Sequence, residues 1–419
     1  MDTGNAQPAT ARYPGTAGEV FRVFARLGVT SFGGPVAHLG YFREALVVRR
    51  GWLSERAYAD LVGLCQFLPG PASSQVGMAL GLQRAGFLGL LAAWSAFTLP
   101  SAILMTAFAV VVFALGDVSG AGWVQGLKAA AAAVVAQAVL GMARQLTPDA
   151  RRASIAAAAM IASLLIPSSL AQLAVIVATG LIGLVWLRPT VERPSDAVDA
   201  DRLEDPGDPA SAFAVRVPRV VALACVTAYG ALLVGLPLVV AGTGDGTVKL
   251  FGIFYRTGAL VFGGGHVVLP LLQAQTVHTG LVGHDDFLAG YGAAQAVPGP
   301  LFTFAAYLGA IAHGSPSGLI GAAIALLGIF LPGALLLVGV LPFWQRLPQA
   351  PLARRALMGV NAGVVGILAA ALYTPVFTEG VDSPLSLAVA VAAFVALTRW
   401  AAPPWAVVIG AGVLGFVLL

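Results

Sequence analysis

Apolar residues run through this chain in long blocks divided by short polar stretches. In the first half the blocks cover 20–41, 57–82, 85–115, 124–143, 153–166 and 169–187. In the second half they cover 249–272, 286–312, 317–342, 356–373, 384–398 and 404–419. One more block, Pro218–Ala241, stands between the two sets without a counterpart. A helix needs about 20 apolar residues to cross a hydrocarbon core, and Ala85–Leu115 and Pro218–Ala241 supply them. The blocks lack the ten-residue alternation of a membrane barrel, so the predicted elements are helices.

The pattern occurs twice. The first copy reads Phe24-x-Arg26-x-Gly28, Phe32-Gly33-Gly34-Pro35 and Gln66-x-x-Pro69-Gly70-Pro71. The second reads Phe254-x-Arg256-x-Gly258, Phe262-Gly263-Gly264-Gly265 and Gln295-x-x-Pro298-Gly299-Pro300. The offset is 230 residues between Phe32 and Phe262 and 229 between Pro69 and Pro298. Gly86-Phe-Leu-Gly89 likewise parallels Gly318-Leu-Ile-Gly321, and Phe97-Thr-Leu-Pro100 parallels Ile329-Phe-Leu-Pro332. The marked residues are glycine and proline, which interrupt helices, and paired interrupted apolar segments point to a transporter's substrate site.

Composition narrows the class. Of 419 residues, 58% are hydrophobic and 10% charged, with a mean hydropathy of +0.87. Soluble domains carry about 25% charged residues, so the chain reads as an all-α polytopic membrane protein. The expected organisation is a polar tail over 1–18 and a first repeat over 19–187. A polar cytoplasmic linker over 188–217, a connecting helix over 218–241 and a second repeat over 249–419 follow. Residues 1–18 show no basic-then-apolar leader. Cys65 and Cys225, the two cysteines, lie in apolar segments and suggest neither a disulfide framework nor a metal site. The net charge of +4 comes from arginines at membrane edges, which gives a nucleic-acid partner little support.

Six segments, one extra span and six more segments predict two inverted-topology repeats. Loop charge tests this independently, because cytoplasmic loops collect Lys and Arg. Arg144, Arg151 and Arg152 follow the fourth segment, while 116–123 has no Lys or Arg. Arg346, Arg354 and Arg355 follow 317–342, while 273–286 has none. Segments 85–115 and 317–342 should therefore run in opposite directions. Arg43, Arg49, Arg50, Arg56 and Arg84 fit the same side only if 20–41 and 57–82 are re-entrant hairpins, turning at Gly33-Gly34 and at Pro69–Pro71. The tail and linker then face the cytoplasm and the C-terminus the outside.

The breaks carry the candidate chemistry. Interrupting a helix inside a bilayer frees backbone N–H and C=O groups, and such breaks persist where those groups line a cavity or hold a solute. Pro35 and Pro71 sit where proline starts a half-helix, whose N-terminus favours anions. Arg26 and Arg256 occupy equivalent positions, and their planar forks suit oxyanions, although an arginine near a segment start can also snorkel to the interface. His38 and His266 follow the glycines and can donate to an anion or carry a proton. Gln66 and Gln295 precede the Pro-Gly-Pro turns and can contact a ligand or cap carbonyls. Asp60, with Glu44 second, is the carboxylate expected for proton coupling. Glu55, Asp285 and Asp286 are the other acids beside these segments, and Lys128, opposite Met358 in the second copy, is expected to pair with a carboxylate or the substrate. No nucleotide-binding, His-Glu-x-x-His or Gly-x-Ser-x-Gly motif offers an enzyme's engine. No cofactor is expected.

Phe32-Gly-Gly-Pro-Val-Ala-His38, Trp52-Leu-Ser-Glu55, Leu68-Pro-Gly-Pro71, Phe262-Gly-Gly-Gly-His266 and Val297-Pro-Gly-Pro300 together resemble the chromate ion transporter (CHR) family in its long, two-domain form. The resemblance covers about residues 19–187 and 249–419. It implies export of chromate from the cytoplasm across the inner membrane and chromate resistance, with sulfate as a competing or alternative substrate. Gly265 stands where the first copy has Pro35, so the two half-sites need not be equivalent. A non-transporting membrane sensor is the reading from another class. The sequence leaves open whether the chain works alone or as a homodimer.

Overall fold

The computed structural model describes residues 14–115, 121–166, 169–187, 213, 215, 217–262, 268–277, 279–314, 316–346 and 351–419. Among them there are helices and connecting turns and no strands. The expected break at Gly263, Gly264, Gly265 and His266 and most of the 188–217 linker lie outside the described residues.

The first hydrophobic block is two helices, α1 (Ala17–Thr30) and α2 (Gly34–Phe42), the latter running into a π-helical stretch, Arg43–Val48. Thr16 caps α1 through a bond from the Glu19 N–H. Gly33 and Gly34 take φ of +96° and +77°, which side chains rarely allow, so the chain turns there. α3 (Glu55–Phe67) and α4 (Ala72–Leu115) form the second block and flank the Pro69–Pro71 turn. α4 is kinked at Ala85 and Gly86, where the block 85–115 read from sequence begins.

Both hairpins return to their starting end. Arg84, at the kink of α4, pairs with Glu19 at 3.1 Å and lies 5.0 Å from the Trp52 ring centroid. The start of α1, Trp52 between the π-helical stretch and α3, and the end of the first arm of α4 therefore meet. Arg43 and Glu55 pair nearby at 2.7 Å, and Arg49 and Glu44 at 2.8 Å.

α5 (Gly122–Leu146), α6 (Ala150–Leu165) and α7 (Ser169–Trp186) complete the first half, and α8 (Arg219–Thr243) follows. The second half contains α9 (Gly246–Leu260), α10 (Val268–Thr276), α11 (His284–Ala296) and α12 (Phe304–Ala310). α13 (Gly318–Val340), α14 (Pro351–Ala371), the single turn α15 (Thr378–Gly380), α16 (Pro384–Arg399) and α17 (Pro404–Leu418) finish it. Among the described residues, five helices are long and apolar enough to cross a membrane: the kinked α4, α5, α8, the stretch Gly318–Phe343 and the stretch Arg354–Thr374. Large apolar side chains such as Leu88, Phe113, Val185, Val220 and Phe416 face outward. On a soluble monomer so much exposed apolar surface is rare, and hydrocarbon is the solvent that suits it. The molecule is an all-α, multi-pass membrane protein.

Packing repeats across the halves. α1 lies along α4, and α9 lies along α13. Gly81 and Gly89 touch backbone to backbone, as do Gly309 and Gly321. Phe24, Phe42 and Phe97 form an edge-to-face chain in one core, and Phe287, Phe304 and Tyr307 pack in series in the other. The fourth segment of each half crosses over: α5 packs against α16 and α17, while α14 packs against α6 and α7. Small residues allow both crossings, with Gly122 and Gly126 against Gly415 and Ala411, and Gly359 against Gly183 and Thr179.

Candidate functional site: four helix breaks at one centre

Each break leaves carbonyls without the N–H one turn further on, and the breaks of the two halves supply one another. α3 ends at Phe67, and Gly70 in the following turn adopts φ +117°. Its N–H donates to the Val261 carbonyl, at the end of α9, at 2.8 Å. α11 ends at Ala296, and Gly299 adopts φ +91°. Its N–H donates to the Ser31 carbonyl, at the end of α1, at 2.9 Å. Each Pro-Gly-Pro turn thus caps the first broken helix of the other half. The turns must approach backbone closely: a Cβ on Gly299 would collide with Ser101 Oγ, and one on Gly70 would stand 3.1 Å from Gly333 Cα.

Side chains close around these turns. His38 on α2 is fully buried. Its Nδ1 lies 3.4 Å from Ser73 Oγ, its ring meets Phe97 edge-on at 5.3 Å, and the Ser31 backbone lies beside it. Gln75 Nε2 donates to the Pro69 carbonyl at 3.0 Å and to the Gly333 carbonyl at 3.2 Å, locking the first turn onto α13. Pro69, Pro71, Pro298 and Pro300 are buried. Gln295 is buried and interacts with Tyr291, one turn earlier.

Five more polar side chains gather here that the sequence reading did not single out. Ser31 Oγ, Ser74 Oγ, Gln75 Oε1, Thr98 Oγ1 and Ser101 Oγ are buried and find no hydrogen-bond partner among the described residues. A buried polar group without a partner costs about 1–3 kcal/mol, and a group of them at one place can be satisfied by a polar ligand. One signal was available: Ser31 and Ser74 are hydroxyl residues within a few positions of a break, and Thr98 and Ser101 flank Pro100 inside an otherwise apolar stretch.

Other expected residues stand apart. Arg26 is exposed on α1, and Arg256 is half-buried on α9. Gly33 is exposed, with Gly34 and Pro35 half-buried. Gln66 and Asp60 are exposed on α3, and Glu44 is exposed and held by Arg49. Lys128 is 3% exposed and pairs with Asp285, itself 45% exposed, at 2.5 Å, away from the breaks. Among the described residues, no group of His, Cys, Asp and Glu could hold a metal ion.

A family model described as chromate transporter matches residues 18–184 and again 248–416. The chain is 29% identical over 374 residues to the chromate transport protein of Pseudomonas aeruginosa, covering 88% of this chain and 82% of that protein. It is 24% identical over 412 residues to the chromate transport protein of Cupriavidus metallidurans, covering 96% and 93% respectively. The uncharacterized transporter YwrA of Bacillus subtilis is 30% identical over 139 residues, which is 33% of this chain and 75% of YwrA. No solved structure matches the chain.

Proposed function

The chain belongs to the chromate transporter family, and on that premise we propose that it exports chromate from the cytoplasm through the centre where its helix breaks meet. The observation that carries this reading is the reciprocal pair of bonds from Gly70 to Val261 and from Gly299 to Ser31. Each joins a break of one half to a break of the other, and the His38–Ser73 contact brings the two pairs together inside an apolar molecule, which is where a broken-helix transporter holds its solute. The hydroxyls there are sealed in, so the ion must enter and leave by movement of the surrounding helices. The two repeats, of inverted topology and each about six segments long, rock around it.

In this reading the Arg-rich end that holds Trp52 and Arg84, the N-terminus and the 188–217 linker face the cytoplasm of an inner membrane, as the charge rule requires. The C-terminus lies outside. Arg26 and Arg256 attract the anion, Gln66 and Gln295 flank its path, and Asp60 and Glu44 are the carboxylates available for proton exchange. Chromate is largely a dianion near neutral pH. Moving one charge across 100 mV is worth about 2.3 kcal/mol, so expelling two from a negative interior gains about 4.6 kcal/mol. The membrane potential, proton exchange or both then drive export, which confers chromate resistance.

Inside-out vesicles holding the protein test the reading. They should accumulate chromate when the lumen is made positive, and sulfate should compete, since both are tetrahedral dianions. Absence of flux at full expression would leave the sensor reading instead. Arg26→Gln should lower apparent affinity several-fold; undiminished affinity and rate would remove Arg26 from the path.

A further inference from the structure

The two copies of the repeat place different side chains at the same positions around the centre. Aligning Phe32 with Phe262 sets Ser31 opposite Val261, and aligning the Pro-Gly-Pro turns sets Ser73 opposite Phe302. Aligning Phe97–Pro100 with Ile329–Pro332 sets Thr98 opposite Phe330 and Ser101 opposite Gly333. At every one of these positions the first half has a hydroxyl and the second has none.

The structure shows what this does to the space. In the second half, Phe302 and Phe330 pack on each other with centroids 5.9 Å apart, filling the position with rings. In the first half, among the described residues, Ser73 reaches only His38, and Ser31, Thr98 and Ser101 keep unpartnered oxygens, each at most 1% exposed. Ser101 Oγ lies against the Gly299 turn, while the equivalent contact of Gly70 is with bare Gly333 and is closed off by Gln75. Thr98 and Ser101 share a face of α4, one turn apart. The four hydroxyls and His38 thus surround the place where α1 ends and the Gly299 turn meets it.

Resting on the transport reading above, we infer that the oxyanion binds at one side of the pseudo-symmetric centre, in a cage of neutral donors from the first half. Ser31, Ser73, Thr98 and Ser101, with His38, hold it against the second half's Gly299 turn. Hydroxyls can rotate to donate to the four oxygens of a tetrahedral anion, and the rings that fill the mirror position exclude a second ion there. The cage distinguishes shape and oxygen number rather than the central atom, so chromate and sulfate should bind with similar affinity.

Equilibrium binding of labelled chromate and labelled sulfate to the purified full chain in lipid nanodiscs tests this. Ser73→Ala, Thr98→Val and Ser101→Ala should each weaken both ions about tenfold or more, the scale of a lost hydrogen bond to a charged group. Without ligand these variants should melt at or above the wild-type temperature, because each removes a buried polar group that is poorly satisfied. Thr303→Ala is the control: its hydroxyl donates to the Pro300 carbonyl at 2.9 Å within its own turn, and its binding should match wild type. Wild-type affinity in all three hydroxyl variants, or an equal loss in Thr303→Ala, overturns the one-sided cage while leaving transport standing. A lower melting temperature with intact binding overturns it too. If the wild type binds neither ion, the transport reading and this inference fail together.

Discussion

Lys128 sets a fixed positive charge in a helix otherwise rich in alanine, and its stability depends on one carboxylate from far along the chain. Asp285 supplies it at 2.5 Å, from the first turn of α11. The lysine is buried and the aspartate half-exposed, so the two substitutions should not be equivalent. Asp285→Asn leaves a buried ammonium unpaired, which in full burial costs about 3–5 kcal/mol; with water reaching Asp285 the cost should be nearer 2. Lys128→Met, which installs the second half's residue, leaves the carboxylate free to solvate and should cost less than about 1 kcal/mol. Thermal melts of the two variants in detergent would show the order, and equal losses would contradict it.

Gly299 makes the second residue-scale case. A left-handed φ costs a non-glycine residue about 1–2 kcal/mol, and here a Cβ would also strike Ser101 Oγ. Gly299→Ala should therefore lose most chromate flux while the protein still reaches the membrane, because the turn that caps α1 moves. Gly252, whose added Cβ would meet Leu236 at an ordinary 3.6 Å, serves as the control, and Gly252→Ala should transport normally.

At the scale of elements, ends and crossings decide where helices sit. α6 begins at Asp149, whose carboxylate accepts from the Arg151 and Arg152 N–H groups at 3.0 Å each and from Arg152 Nε at 2.6 Å. The bond from the Arg152 N–H does most to hold this carboxyl below the usual aspartate range. A depressed folded-state value means the stabilisation is present above the unfolded value and lost as pH falls through the folded one. Asp149→Ala should cost about 1 kcal/mol at neutral pH, the worth of an N-cap. Melts repeated toward acid pH should show the difference from wild type shrinking.

On the whole-molecule scale, neither half is closed by itself. α5 needs α16 and α17, and α14 needs α6 and α7, so each half lends its fourth segment to the other. Cutting the chain within 188–212 and producing both pieces together should give a complex that co-purifies and restores chromate flux. Either piece alone should be degraded or aggregate. Independent stability of one piece would show that the exchanged helices are dispensable.

Much of this architecture was legible in the sequence, because its causes are local. Proline lacks an N–H and glycine reaches positive φ wherever they stand, so the breaks at Gly33–Pro35, Pro69–Pro71 and Pro298–Pro300 and the kink beside Gly86 follow from the residues themselves. Long apolar blocks without alternation likewise dictate helices in hydrocarbon, whatever their neighbours. Only tertiary structure decided which end meets which. It gave Gly70 the Val261 carbonyl and Gly299 that of Ser31, paired Lys128 with Asp285, and seated α5 and α14 in opposite halves. It also separated Arg26 from Arg256 in burial and enclosed Ser31, Thr98 and Ser101, which in sequence are ordinary hydroxyls. Those outcomes depend on backbone approach and desolvation between residues far apart in sequence, 268 positions in the Gly299 to Ser31 bond, and no local propensity records them.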